Sequence, residues 1–224
     1  MLYLLEIDSS VKKIEIKEIK LREDNLLCVK IHADTRRLLK KAGKFLKDKS
    51  VIIWDDCDED KLRSLGIQTV SPKKLYKYIT DKIFVKALSQ SGFLNNPKVC
   101  IFAGRISENE MGILRRISDN SRQISICAGN GRATAELLME NFGISAISGS
   151  AAADVVIKMY ERDFSLSCIR HSRRYTLENV DIATDFDNLV PKSHLKSACV
   201  ALLNRGALDI RGIWVKNLSF KCEN

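Results

Sequence analysis

Cys127 ends an apolar run, and the residues that follow it, Ala128-Gly129-Asn130-Gly131-Arg132, are the kind that fold a backbone closely around an anion. Glycine lets main-chain N–H groups approach a ligand, and an arginine beside them adds charge and parallel donors. A thiol placed just before such a turn, at a helix start, is where a thiolate is stabilised and becomes a nucleophile. Two further turns share this composition, Ala103-Gly104-Arg105-Ile106-Ser107 and Ser148-Gly149-Ser150-Ala151-Ala152. All three are small, carry glycine and read as helix openers. Together they predict a site for a small phosphorylated or otherwise anionic ligand, lined by Gly104, Arg105, Gly129, Asn130, Gly131, Arg132, Ser148, Gly149 and Ser150. Cys127 is the candidate nucleophile of a phosphoryl-transfer alternative. The same residues would also serve as turns of pure geometry, since short strand-to-helix connections use glycine and serine for that reason alone.

The stretch CAGNGRAT, Cys127 to Thr134, resembles the loops of low-molecular-weight phosphatases and of the phosphocysteine domains of sugar phosphotransferase systems. The phosphatase loop needs one more residue between cysteine and arginine than the four that Cys127 and Arg132 enclose, and Ala133 stands where its arginine belongs. Gly129-Asn130-Gly131-Arg132-Ala133 resembles in part the adenosylmethionine-binding turn of methyltransferases, with Cys127 in place of the acid. Neither match is complete, so no cofactor is assigned.

Asp55 and Asp56 head an acidic run, WDDCDEDK, that follows the apolar VIIW. Clustered carboxylates suit a hard divalent cation, and acids also suit the first turn of a helix, so the two aspartates are metal candidates with a plain alternative. Asp8 and Asp55, each after an apolar run, resemble the ribonuclease H arrangement, but the helix between them offers only basic and apolar residues where a carboxylate is required. His32, His171 and His194 are far apart. The seven cysteines form no CxxC pair and read as reduced thiols.

Positioning these residues requires strands and helices in a definite order. Residues 2–31 read as three strands joined by polar turns, a three-stranded antiparallel meander. Residues 34–49, DTRRLLKKAGKFLKDK, read as a capped amphipathic helix with Leu38, Leu39, Ala42, Phe45 and Leu46 on one stripe. Arg36, Arg37, Lys40, Lys41, Lys44 and Lys47 share its outer face, which is either solvated or in contact with a polyanion. From residue 50 on, short apolar runs alternate with helical patterns. Helices are predicted from Pro72 to about Gly92, over 108–118, 132–141, 151–160 and 192–204, with strands between and a last strand in LDIRGIWVKNLSF. This alternation predicts a mixed α/β protein with a mostly parallel, helix-covered (Rossmann-like) sheet behind the N-terminal meander. A break is expected at Gly92–Pro97, dividing residues 1–96 from 97–224 as two domains or as halves of one.

A composition of 45% hydrophobic and 29% charged residues over 224 positions is that of an ordinary globular protein. The opening residues lack a basic, then apolar, leader, and no stretch approaches a membrane span, so a cytoplasmic location and no membrane partner are expected. The net charge of +9 draws attention to nucleic acid as a second partner class. Such a regulatory or nucleic-acid-associated role would use the basic helix at 35–47 and the segment 169–175, Ile-Arg-His-Ser-Arg-Arg-Tyr.

Overall fold

The computed structural model describes residues 2–21, 24–53, 58–91, 96–160, 163–170 and 172–223. Two compact units emerge, Met1–Leu75 with Thr184–Ile213, and Tyr76–Ala183 with Trp214–Asn224. The chain therefore leaves the first unit before the Gly92–Pro97 stretch and returns to it after residue 183.

In the first unit, β1 (Leu2–Ile7), β2 (Glu15–Leu21), β3 (Asp24–Ile31), β4 (Ser50–Ile53) and β5 (Gln68–Thr69) form a sheet of order β2-β3-β1-β4-β5. Only the β2–β3 hairpin is antiparallel; β1 runs parallel to both β3 and β4. The expected meander is corrected in this respect, and the composition of the strands explains why. β1 is apolar on both faces, with Leu2, Leu4 and Leu5 all buried, which suits the middle of a sheet. β2 alternates apolar residues with Glu15, Lys17, Glu18 and Lys20, and is mostly exposed, which suits an edge.

Helix α1 (Arg36–Leu46) connects β3 to β4, and α2 (Glu59–Ser64) connects β4 to β5. Leu5, Val29, Ile31, Leu39, Ala42, Leu46, Val51, Ile53, Leu62 and Ile67 form one core between the sheet and these helices. Each fully buried aliphatic side chain stabilises the fold by about 1.5–3 kcal/mol. Leu4, Cys28 and Ile52 point to the opposite face, where α7 (Lys192–Asn204) packs on β1 and β4. The predicted stripe of α1 is corrected at Phe45, which lies outside the core at 44% exposure.

The helix predicted from Pro72 breaks into α3 (Lys73–Tyr78) and, in the second unit, α4 (Thr80–Ser91). Thr80 Oγ1 donates to the carbonyls of Tyr76 and Lys77 at 2.9 and 2.8 Å, competing with the backbone ladder at the break. The sheet contains β6 (Lys98–Phe102), β7 (Gln123–Cys127), β8 (Ala146–Ser148), β9 (Val155–Met159), β10 (Phe164–Arg170), β11 (Arg173–Ala183) and β12 (Trp214–Glu223), in the order β12-β11-β10-β9-β6-β7-β8. Strands β9, β6, β7 and β8 are parallel, and β10 to β12 add an antiparallel extension. Helices α5 (Glu108–Ser118) and α6 (Gly131–Phe142) make the β6–β7 and β7–β8 crossovers; α5 packs against both α4 and α6, so the three form one layer.

Residues 151–160, expected as a helix, are instead a strap without regular secondary structure at 151–154 followed by β9 itself. From Ser148 to Val155 the chain must pass β7 and β6, about 14 Å sideways at roughly 4.8 Å per strand. Seven extended steps supply only about 24 Å, enough to cross the sheet on the side away from the helix layer and too little to circle that layer. A right-handed return crossover also belongs on that face. The strand positions beneath are small: Cys100 and Ser125 are buried there, on the side opposite Val99, Ile101, Ile124 and Ile126. Asp154 anchors the end of the strap. Its Oδ2 accepts the Lys98 N–H at 2.8 Å and pairs with Arg122 at 3.1 Å, and its own N–H donates to the Lys98 carbonyl at 2.9 Å.

Candidate functional site

The carboxyl ends of β6, β7 and β8 are neighbours, so the three predicted turns lie along one sheet edge. That edge, where crossover loops gather, is where open parallel sheets bind ligands. The turn after β6 and the turn after β7 are laced together. The Ala103 N–H donates to the Cys127 carbonyl at 3.1 Å and the Gly129 N–H to the Gly104 carbonyl at 2.9 Å. The Asn130 side chain then bridges to Ile106 by two bonds of 2.9 Å, accepting from its N–H and donating to its carbonyl.

Close packing explains two of the glycines. A Cβ on Gly129 would sit 3.0 Å from the Gly104 oxygen, and one on Gly131 would sit 2.9 Å from the Ile126 oxygen and 3.4 Å from Ser148 Oγ. The Gly129, Gly131 and Gly149 N–H groups are spent inside the protein, on Gly104, Ala128 and Ile126 respectively. At the start of α6 the donors left for a ligand are therefore not the Gly129 and Gly131 amides but the next two, Arg132 and Ala133, in the first turn of the helix. Arg105 is exposed, and Arg132 is exposed with its guanidinium 3.0 Å from Glu136. Ser148 and Ser150 stand at the start of the strap, so the third turn opens an extended segment rather than the helix expected of it.

The two helices that begin at this edge are finished differently. At α5, Ser107 and Glu110 form a capping box: Glu110 Oε2 accepts from the Ser107 N–H at 2.6 Å and from its hydroxyl at 2.7 Å. Lys77 closes on the same carboxylate at 2.8 Å. Burial alone would raise the Glu110 carboxyl, but the bonds from Lys77 and Ser107 outweigh it and hold it below its usual range. At α6, the N-cap residue is Asn130, whose side chain makes no cap bond because it is committed to Ile106, and the first turn contains no acid. Its helix dipole is left uncompensated.

Cys127 is half-buried and shares the strap side of the sheet with Cys100, Ser125 and Phe102. Asp55 and Asp56 lie outside the described residues; their neighbour Asp58 caps α2 by accepting the Asp60 and Lys61 N–H groups at 3.0 and 3.1 Å. Among the described residues, no three His, Cys, Asp or Glu side chains converge as a metal site. In the segment 169–175, His171 is outside the described residues. Ser172, Arg173 and Arg174 line an open cleft of about 580 Å³ with Glu223.

A polar cluster that sequence reasoning missed sits at the carboxyl ends of β1 and β3. Lys30 Nζ lies 3.2 Å from Glu6 and 3.1 Å from Asp8, and Cys28 Sγ donates to Glu6 at 3.4 Å. Hydrogen bonds from the Ser10 hydroxyl and N–H, then from Lys30, pull the Asp8 carboxyl down to about 2. The bond to Asp8, with Glu6 adding to it, raises Lys30. Burial first, then the nearby Glu6 carboxylate, pushes the Cys28 thiol up to about 12, and burial does the same to Cys199. The signal was present in the sequence as Glu6-x-Asp8 and Cys28-x-Lys30, pairs that share a strand face, but only the parallel β1–β3 register brings them together.

Among the described residues no helix is long and apolar enough to cross a membrane. No protein-family model matches the chain, and no curated protein matches it. Among solved structures, L-tryptophan dehydrogenase from Nostoc punctiforme is similar at 19% identity and a TM-score of 0.30, over 60% of this chain and 42% of that one. The likeness spans less than half of that enzyme and transfers no activity or ligand to this chain, which stands as a mixed α/β protein.

Proposed function

We propose that this protein binds a small phosphorylated or otherwise anionic molecule at the shared edge of β6, β7 and β8. The observation that carries this reading is the diversion of Asn130. A residue type suited to capping α6 spends its carboxamide on Ile106 instead, and the neighbouring α5 is fully capped. The Arg132 and Ala133 N–H groups are thereby left for an anion at the positive end of α6. In this reading Arg105 and Arg132 add charge and the hydroxyls of Ser148 and Ser150 complete the shell. Gly129 and Gly131 hold the loops close enough for the turn to form, with Gly104 supplying the carbonyl on which Gly129 packs and to which it bonds, and Gly149 bonding to the Ile126 carbonyl.

The test is a thermal-shift screen of inorganic phosphate, nucleotides, sugar phosphates and adenosylmethionine, on the wild type and on Arg105→Glu/Arg132→Glu. Both arginines are exposed, so the double variant is expected to retain the fold, which its melting transition without ligand checks. A ligand at about a hundred times its Kd stabilises by about 2.7 kcal/mol, a shift of several degrees. The expected result is a shift in the wild type that disappears in the double variant. No shift with any anion, or one that the double variant keeps, overturns the reading.

A further inference from the structure

We propose that the outer face of α1, in the first unit, is a docking surface for single-stranded nucleic acid. Arg36, Arg37, Lys40, Lys41, Lys44 and Lys47 are all exposed, and among the described residues none of them enters a salt bridge. They occupy about 140° of the helix circumference, in rows that advance about 6 Å every four residues. A chain of phosphates complements such a surface in charge, and releases counterions as it binds.

Two observations separate this face from an ordinary solvated one. The first is Phe45, which the hydrophobic pattern assigns to the core and the structure turns outward, one helical turn from Lys41 at the border of the cationic arc. An exposed ring among cations is what base stacking on a single strand requires, and a paired duplex cannot use it in that way. The second is the start of the helix. Arg36 and Arg37 occupy the first turn, which contains no acid, so they oppose the helix dipole. A face arranged for stability alone would carry acids there.

A basic amphipathic helix also suits an anionic membrane, but that mode needs the apolar stripe free to enter lipid. Here Leu39, Ala42 and Leu46 are fully buried in the core of the first unit, so only the charges and Phe45 face outward. This inference is independent of the anion site, which uses residues of the other unit.

Fluorescence anisotropy of labelled dodecamers of uridine and of deoxythymidine, titrated with the full chain at increasing salt, tests it. Binding is expected at about 50 mM salt, with the logarithm of the association constant falling against that of salt with a slope of roughly −3 to −4, at about −0.7 per phosphate. Arg37→Glu/Lys41→Glu is expected to weaken binding about tenfold or more and flatten the slope, while the melting temperature holds or rises because an acid now faces the dipole. Phe45→Ala is expected to weaken binding about fivefold to a hundredfold with the slope unchanged. The two dodecamers tell RNA from DNA. No binding at low salt, or binding untouched by both variants, overturns the proposal. Equal affinity for a duplex that Phe45→Ala leaves unchanged overturns its single-strand part, and binding to phosphatidylserine vesicles without binding to either dodecamer assigns the face to a membrane instead.

Discussion

Asn130 and Ile106 are joined like two rungs of a strand pair: the carboxamide of Asn130 accepts the Ile106 N–H and donates to the Ile106 carbonyl, each at 2.9 Å. One side chain thus fixes the loop after β6 and, by its absence from the start of α6, leaves that helix uncapped. Asn130→Ala removes both bonds and leaves the polar groups of a buried residue without partners, so urea denaturation should show a loss of about 1–3 kcal/mol. Asn130→Asp keeps the acceptor and should lose less. Its carboxylate would compete for the first turn of α6, so the anion-dependent thermal shift should be lost with the fold intact.

Gly131 and Gly112 give a second, opposed pair of outcomes. Alanine at Gly131 meets backbone, with the Ile126 oxygen 2.9 Å from the new Cβ, and neither strand nor turn can yield cheaply. A loss of about 1–3 kcal/mol is expected from such overpacking. Alanine at Gly112, inside α5, meets only the tip of Arg116 at 3.7 Å. There the gain in helix propensity should dominate, raising stability by about 0.5–1 kcal/mol. Comparing the two melting curves decides whether the loop glycine is held by geometry.

Local signals were legible in the sequence where local chemistry decides the outcome. The capped start of α1 at Thr35, α5 at Glu108–Ser118 and α7 at Lys192–Asn204 fall where periodicity and caps place them. What was not legible depends on partners distant in the chain. Alanine at 151–153 favours a helix in isolation, and only the position of β9 on the far side of β6 forces those residues to extend. The parallel pairing of β1 with β3 is likewise a choice of sheet position rather than of strand formation. At the candidate site, the turns were found by composition, but the use of their donors was not: nothing in the string Gly129-Asn130-Gly131 says that Asn130 will serve Ile106. Phe45 fits the apolar stripe of α1 by spacing, and whether the core has room for it is a packing question that spacing does not answer.

The strap offers its own test, because alternation along an extended segment assigns each alanine a side. Ala151 and Ala153 are half-buried and Ala152 is exposed. Replacing Ala151 or Ala153 by leucine should cost about 1–3 kcal/mol by overfilling the half-buried space each alanine occupies. Ala152→Leu should fall within about 0.5 kcal/mol of the wild type. A helix over 151–160 would give a different ranking, with positions three and four apart behaving alike. Denaturation midpoints of the three variants, measured side by side, distinguish the two conformations.

The Glu110 carboxylate makes stability depend on pH in a stated direction. It is buried, it accepts from Ser107 twice, and Lys77 lies 2.8 Å away, so the folded protein holds it below its ordinary value of 4.5. A carboxyl lowered by folding contributes stability that is fully present above the unfolded value and is lost as pH falls through the folded one. Wild type and Glu110→Gln should therefore differ most near neutrality, by about 2 kcal/mol, the scale of hydrogen bonds to a charged group. The gap should narrow progressively below about pH 4.5 as the wild-type carboxyl takes up its proton. Urea midpoints for both proteins from pH 7 to pH 3 measure this directly. Parallel curves across the range would mean that the Lys77–Glu110 pair contributes nothing beyond its packing, and that α5 is held at the sheet edge by Ile113, Leu114 and Ile117 alone.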